Sequence, residues 1–248
     1  MKVYRRLAPF KAISFDLDDT LYSNHPIMVT TSDAMLAYFK KEMPALLDNS
    51  TDIQVEYDIE FWAEYKEKAL IFNLELKHDV GTLRSETYYL GMIALGISKT
   101  QARQAAQKAV AHFNFHRSNF TVPEHIHRLL AALAKKWPLI AISNGNVNTE
   151  TIKLKQYFSA TYHAGGQSAG KLNKHKPCPD MFNSACKHLK IKPEELLHVG
   201  DCGKADILGG ILAGCQTAWV SSYDVGQPLS ILPNIELSDV EELYQFLT

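Results

Sequence analysis

The sequence predicts an α/β fold: a parallel sheet with helices on both faces, into which a helical segment is inserted. Three observations carry that prediction. A short apolar run ending in carboxylates occupies 11–18. The stretch 25–116 has almost no strand signal and places apolar residues at helical spacing. From 117 onward, short apolar runs alternate with helical patterns, as a parallel sheet with helical crossovers requires. One strand precedes the helical stretch and the others follow it. The expected organisation is therefore one core, 1–24 with 117–248, and an inserted helical domain, 25–116. A chain of 248 residues is long enough for both.

Each element has a local reason. Within the insertion, Phe61, Tyr65, Ala69, Phe72 and Leu76 recur every three or four residues and predict one helix. Ser98 and Gln101 form a capping-box pattern that opens another, with Ala102, Ala105, Ala106 and Phe113 on one face. Thr121 and Glu124 repeat that pattern before Ile126, Leu129, Leu130 and Leu133. A strand follows at 137–143, a weaker one at 160–164, and a helix over Asp180–Leu189. Leu196–Gly200 reads as a strand, 205–213 as a helix and Gln216–Val220 as a strand. Ile235–Leu237 is a short last strand before a helix capped by Ser238 and Glu241. Residues 48–67 hold seven acidic residues and one basic residue, read as a solvated helix face.

Composition excludes several classes of function. Lys and Arg number 26 against 27 Asp and Glu, a net charge of −1, so the chain lacks the basic surface that nucleic-acid binding uses. No apolar run approaches the roughly 20 residues of a membrane span. The basic start, Met1 to Arg6, is not followed by a signal-peptide apolar stretch, so a cytoplasmic location is expected. Cys178, Cys186, Cys202 and Cys215 form no C-x-x-C pair and read as free thiols. His175 and Cys178 have a tolerable zinc spacing but no second ligand pair.

In open parallel sheets, ligands bind beyond the carboxyl ends of the strands. Those ends carry Asp16-Leu17-Asp18-Asp19-Thr20, Ser143-Asn144-Gly145 and Gly200-Asp201 with Asp206 following, while Lys174-His175-Lys176-Pro177 lies before the 180–189 helix. Asp16 and Asp18, two apart at a strand end, can point the same way. A pair of carboxylates about 5 Å apart repels by roughly 3 kcal/mol at an effective dielectric of 20. Several in one crevice need a counter-ion, and oxygen-only ligands favour Mg²⁺. A carboxylate can also attack phosphorus, provided that a metal, a lysine, a hydroxyl and backbone N–H groups offset the phosphate charge. A second carboxyl, Asp18, could protonate the leaving oxygen and later activate water.

Asp16-x-Asp18-x-Thr20, Ser143, Lys176 and Gly200-Asp201-x4-Asp206 resemble, in the right order, the four motifs of the haloacid dehalogenase superfamily. That resemblance implies a Rossmann-like three-layer core with a helical C1 cap. It implies Asp16 as nucleophile and Asp18 as general acid/base. Asp16, the Asp18 carbonyl and Asp201 would bind Mg²⁺, with Thr20 in support and Asp206 in the outer shell or bridging to the lysine. Ser143, Asn144 and Lys176 would bind phosphate, Lys176 being preferred to Lys174 because it directly precedes Pro177. Cys202 departs from the Asp or Ser of many members. The segments 15–22, 134–146 and 197–201 further resemble a bacterial branch that dephosphorylates flavin mononucleotide and 5-amino-6-(5-phosphoribitylamino)uracil. The expected partner is a small phosphorylated metabolite, with no nucleic acid or membrane, and the protein is expected as a monomer or weak homodimer.

Other chemistries compete for the same residues. Dehalogenation needs no acid at position 18, so Asp18 counts against it. Phosphonate cleavage would need a cap lysine, which is not identifiable, and a phosphomutase remains open. Sugar phosphates and nucleotides are alternative substrates, and a non-catalytic binding module is the alternative to an enzyme. Trp62, Tyr65 and Phe72 read as cap packing rather than as a ring-stacking platform. His25 reads as a hinge residue, and His163 and His175 as structural or exposed. Gly165-Gly166-x3-Gly170 does not have the dinucleotide spacing.

Overall fold

A computed structural model describes residues 1–47, 56–168, 170–223 and 225–247. In chain order the strands and helices are β1 (Lys2–Val3), β2 (Ala12–Phe15), α1 (His25–Glu42), α2 (Ile59–Phe72), α3 (Val80–Ala94), α4 (Lys99–Arg117) and α5 (Glu124–Ala134). There follow β3 (Leu139–Ser143), β4 (Phe158–His163), β5 (Gln167–Ser168), β6 (Lys171–Leu172) and α6 (Asp180–Leu189). The chain closes with β7 (Leu196–Gly200), α7 (Gly209–Leu212), β8 (Gln216–Val220) and β9 (Ile235–Leu237). They form two compact units, Met1–Asn24 with Thr121–Thr248, and His25–Phe120.

The first unit is built on a seven-stranded sheet of order β1-β9-β8-β7-β2-β3-β4. All neighbours are parallel except the edge pair β1–β9. β2 and β7 are buried along their whole length, which is why apolar residues dominate both. The chain leaves β2, returns as β3 and β4 on one side, then crosses to β7 and β8 on the other. β2 is therefore the point where strand order reverses, and a crevice opens beyond its carboxyl end. On one sheet face, Ala12, Ile140, Ile142 and Leu196 pack with Met181, Phe182 and Ala185 of α6.

The second unit is helical. Its core joins Met35, Phe39 and Met43 of the α1 segment to Trp62, Tyr88 and Met92 and to Ala102, Ala106, Ala109 and Phe113 of α4. Small residues set the approach of its helices. A Cβ on Gly91 would stand 2.6 Å from the Trp62 ring, so glycine lets α3 close on α2.

Several expected details are corrected. The buried face of α2 is Trp62, Tyr65 and Ala69, while Phe72 is 80% exposed. α2 stops there because Asn73 turns to an extended conformation and its side chain caps the following 3-10 turn, Leu74–His78, which holds Leu76. Ser98 does cap α4, but its hydroxyl donates to the Gln101 side chain (2.6 Å), so the reciprocal half of the box is not formed. α5 starts after Pro123 with no side-chain cap, so Thr121 does not play that part. The expected helix 205–213 is a π-helical turn, Gly203–Leu208, followed by the short α7. The C-terminal helix is a 3-10 segment, Val240–Phe246, capped by Asp239 rather than Ser238. Gly165 and Gly170, both with positive φ, serve the β5–β6 hairpin. In the acidic run 48–67, residues 48–55 lie outside the described residues; Glu60, Glu64 and Glu67 of α2 are exposed.

Candidate active site

The site is assembled by strand ends. The Asp16 N–H donates to the Val199 carbonyl at 2.9 Å, continuing the β2–β7 pairing one residue beyond the strand. The carboxylate is thus delivered at the carboxyl end of the central strand. Beyond it the chain turns sharply: Leu17 is buried, and Asp19 takes a left-handed φ of 57° that aspartate tolerates. The turn closes through Asp19 N–H to the Tyr22 carbonyl (2.8 Å) and leaves Asp18 half-buried.

Lys176 organises the centre. Its side chain is 1% exposed, and Nζ donates to Asp16 Oδ1 (2.6 Å), Asp206 Oδ1 (2.5 Å) and the Ile142 carbonyl (2.8 Å). Burial alone would depress an ammonium, but the Asp16 and Asp206 charges outweigh it and hold Lys176 protonated well above the ordinary lysine range. Lys174, by contrast, is exposed.

Asp206 is a fully engaged anion. Oδ1 accepts from Lys176 and faces His198 Nε2 at 3.1 Å, while Oδ2 accepts from the Cys202 N–H at 2.9 Å. Burial opposes its charge, yet Lys176 and His198 hold its carboxyl below the usual range. Room for it depends on Gly200, where a Cβ would lie 2.3 Å from Asp206 Cγ. Cys202 thus works through its main-chain N–H and caps the π-helical turn.

Asp16 and Asp201 are shifted the other way. Burial pushes Asp16 well above the ordinary carboxylate range; Lys176 opposes this, and Asp206, Asp201 and Asp18 add to it. Burial, with Asp206 beside it, pushes Asp201 up to about 7. Thr20 Oγ1 donates to Asp201 Oδ1 at 3.1 Å, and Trp219 Nε1 donates to the Asp201 carbonyl at 2.6 Å, so its place is set from both sides.

Oxygens of Asp16, Asp201 and Asp206 come within 4.8 Å of one another. Three carboxylates faced by one ammonium leave a negative centre, and an oxygen-only donor set suits a hard cation. The residues fit such an ion. Asp16 and Asp201 are better donors than Asp206, whose oxygens already take three hydrogen-bond partners.

Ser143 ends β3, is buried, and its Oγ accepts from the Gly145 N–H at 3.0 Å. The Asn144 side chain is committed to the lysine loop: Oδ1 accepts from the Lys176 N–H (2.7 Å) and Nδ2 donates to the Lys176 carbonyl (3.1 Å). Any anion contact from Asn144 therefore falls to its main chain. His163 Nδ1 lies 3.1 Å from the Gly145 carbonyl and supports the same loop. His25 is exposed at the start of α1. Among the described residues, His175 and Cys178 belong to no ligand cluster.

Sequence reasoning missed Ser14 and His198. They pair at 2.9 Å through Oγ and Nδ1, both wholly buried. The available signal was a polar residue inside each of two apolar strands, since buried polar groups have partners.

The arrangement brings together the Asp16 carboxyl, a second carboxyl at Asp18, the Lys176 ammonium and three carboxylates that could hold a cation. The comparisons agree with that chemistry. A model of haloacid dehalogenase-like hydrolases matches residues 10–214. The chain is 34% identical over 248 residues, 98% of each chain, to 5-amino-6-(5-phospho-D-ribitylamino)uracil phosphatase YigB of Escherichia coli K12. It is 30% identical over 128 residues, 50% of this chain and 51% of the relative, to human N-acylneuraminate-9-phosphatase. The crystal structure of a 2-haloacid dehalogenase from Pseudomonas syringae superposes with a TM-score of 0.83 at 26% identity, covering 96% of this chain and 98% of that one. The chain belongs to the haloacid dehalogenase-like hydrolase family and is a phosphatase.

Proposed function

We propose that this phosphatase is a Mg²⁺-dependent phosphomonoesterase that works through an aspartyl-phosphate on Asp16. Its substrate would be a ribityl phosphate bearing a heterocycle, 5-amino-6-(5-phospho-D-ribitylamino)uracil or flavin mononucleotide. The reaction class rests on one observation: the Asp16 carboxylate stands at the end of the central strand with Lys176 Nζ at 2.6 Å. A carboxylate meets a phosphate dianion only if charge is offset locally. Lys176 does so from one side, and the Ser143 loop offers a hydroxyl and main-chain N–H groups. A Mg²⁺ ion held by Asp16, the Asp18 carbonyl and Asp201 would neutralise the remaining charge.

In the first step an Asp16 oxygen bonds to phosphorus and the bond from phosphorus to the ester oxygen breaks. Asp18 gives its proton to that leaving oxygen. In the second step Asp18 takes a proton from water, whose oxygen bonds to phosphorus while the Asp16–phosphorus bond breaks. Phosphate leaves and Asp16 is regenerated. Dehalogenation needs no acid at position 18, so Asp18 favours phosphoryl transfer.

The substrate class is supported by the full-length similarity to the E. coli enzyme. The inserted helical unit is the other candidate for substrate selection. A cavity of about 630 Å³ there is walled by Phe39, Tyr57, Trp62, Tyr88 and Phe113, with Arg84 in its lining. Those rings are also the buried core of the unit, and we assign the helical unit, His25–Phe120, the role of a cap that selects the leaving group.

The test is Asp16→Asn, assayed on p-nitrophenyl phosphate and on both ribityl phosphates beside sugar phosphates and nucleotides. Turnover is expected to vanish in the folded variant. Wild-type kcat, with deamidation back to Asp excluded by mass, overturns the mechanism. A wild-type preference for sugar phosphates or nucleotides overturns the substrate.

A further inference from the structure

Ser14 and His198 stand opposite each other in the register of the β2–β7 pair. Ser14 Oγ lies 2.9 Å from His198 Nδ1, and His198 Nε2 lies 3.1 Å from Asp206 Oδ1. The Asp206 carboxylate only accepts, so Nε2 carries the ring proton and Nδ1 accepts from the Ser14 hydroxyl. The ring is thereby held at both nitrogens. Phe182 also packs edge-on against it, with centroids 4.8 Å apart.

Asp206 Oδ1, the oxygen that meets His198, is also the oxygen that holds Lys176 at 2.5 Å. Lys176 in turn lies on Asp16. A continuous chain of buried hydrogen bonds thus runs from Ser14 through His198, Asp206 and Lys176 to Asp16. We infer that His198 is a positioning residue for phosphoryl transfer: through Asp206 it sets where the Lys176 ammonium stands against the nucleophile. This rests on Asp16 being that nucleophile.

The physical reason is competition for one ammonium. With His198 donating, part of the Oδ1 charge is already satisfied, and Lys176 is shared between Asp206 and Asp16. Without that donor, and with Oδ2 still on the Cys202 N–H, Asp206 Oδ1 is the stronger acceptor. It then draws the long, flexible lysine stem toward itself. Asp16 would lose the ammonium where charge develops in the transition state, so the effect falls on kcat more than on KM.

The experiment uses the full chain with saturating Mg²⁺ and p-nitrophenyl phosphate, comparing His198→Leu, His198→Gln, Ser14→Ala and Asp16→Asn. Folding is checked by circular dichroism and melting. His198→Leu is expected to lower kcat about tenfold or more with KM within about twofold, the scale of one lost charge-assisted bond. His198→Gln, which keeps an N–H donor, should recover most of that loss. Ser14→Ala should cost about threefold and add nothing in the His198→Leu background.

A folded His198→Leu with wild-type kcat overturns the inference, as does a loss that Gln does not recover, which would mark a packing role. If His198→Leu does not fold, Ser14→Ala decides, and wild-type kcat there overturns it. Activity in Asp16→Asn would instead overturn the proposed mechanism. An inactive Asp16→Asn beside unaffected His198 variants overturns this inference alone.

Discussion

Replacing Gly200 with alanine adds one methyl group at the tightest point of the site. The new Cβ would stand 2.3 Å from Asp206 Cγ, 2.5 Å from its Cβ and 2.6 Å from Oδ2. Ordinary contact between carbons begins near about 3.5 Å, so the Asp206 side chain must retreat by about 1 Å. It cannot do so freely, being tied to Lys176, His198 and the Cys202 N–H at 2.5, 3.1 and 2.9 Å. A retreat of that size takes at least one of these bonds out of range. Overpacking costs about 1–3 kcal/mol, and a lost hydrogen bond to a charged group about 1.5–3 kcal/mol. Together about 2.5–6 kcal/mol, they lower Tm by about 5–24 °C for a chain of this size. Displacing Lys176 from Asp16 by about 1 Å should cost about a hundredfold in kcat. Differential scanning calorimetry and p-nitrophenyl phosphate turnover read both effects. Gly81→Ala is the control: its Cβ would meet Asp79 Oδ1 at 3.4 Å in the first turn of α3, and stability should stay within about 0.5 kcal/mol of wild type. If Gly200→Ala retains wild-type Tm and kcat while its control behaves as stated, Asp206 does not hold Lys176 by this geometry.

Three further outcomes are expected. In EDTA the protein should lose stability relative to Asp201→Asn as pH rises from 6.5 to 7.5. Asp201 titrates near 7 in the folded chain, against 3.8 as the ordinary value. At this group the folded state therefore binds more protons than the unfolded one in this window, so its contribution to stability falls as pH rises. The depressed histidines, His112, His163 and His198, act in the opposite sense as the unfolded chain sheds its imidazole protons around 6.5, and they are common to both proteins, so the comparison with Asp201→Asn cancels them. Saturating Mg²⁺ should flatten the profile, and an unchanged Tm-versus-pH slope on adding Mg²⁺ would count against the cation site. Turnover should cease in excess EDTA and return with Mg²⁺ but poorly with Ca²⁺, whose larger coordination number would let Asp16 bind through both oxygens and lose its attacking one; undiminished rates in EDTA would exclude the metal requirement. Arg84→Ala should raise KM for flavin mononucleotide about tenfold, as expected for one lost charged contact, while leaving p-nitrophenyl phosphate unchanged; equal effects on both substrates would refute a leaving-group role for the cavity in the helical unit.

The carboxylates and the lysine are legible in the chain itself because chemistry restricts them to few residue types and parallel sheets restrict them to strand ends. Asp16, Ser143 and Asp201 each follow a readable apolar run. What helix patterns misjudged were boundaries. Phe72 satisfies a period of three to four but lies at the helix terminus, where no neighbouring helix covers it. Thr121 and Ser238 have the right capping chemistry, yet the helices begin at Pro123 and Asp239. Local spacing names candidates for a cap, whereas the chain's entry angle selects among them.

By itself the sequence determined the class of fold, the inserted helical segment and which residues are candidates for the site, because strand runs, helical periods and motif order are local properties of the chain. The tertiary structure alone decided how those residues share their hydrogen bonds. Asn144 serves the lysine loop with both ends of its side chain. Asp206 serves Lys176, and Gly200 leaves the room that admits it. Ser14 and His198, 184 positions apart, meet only because β2 and β7 pair in one register. Such contacts depend on which strands become neighbours and on burial that leaves each polar group to find its partner, and neither is written in any one stretch of sequence.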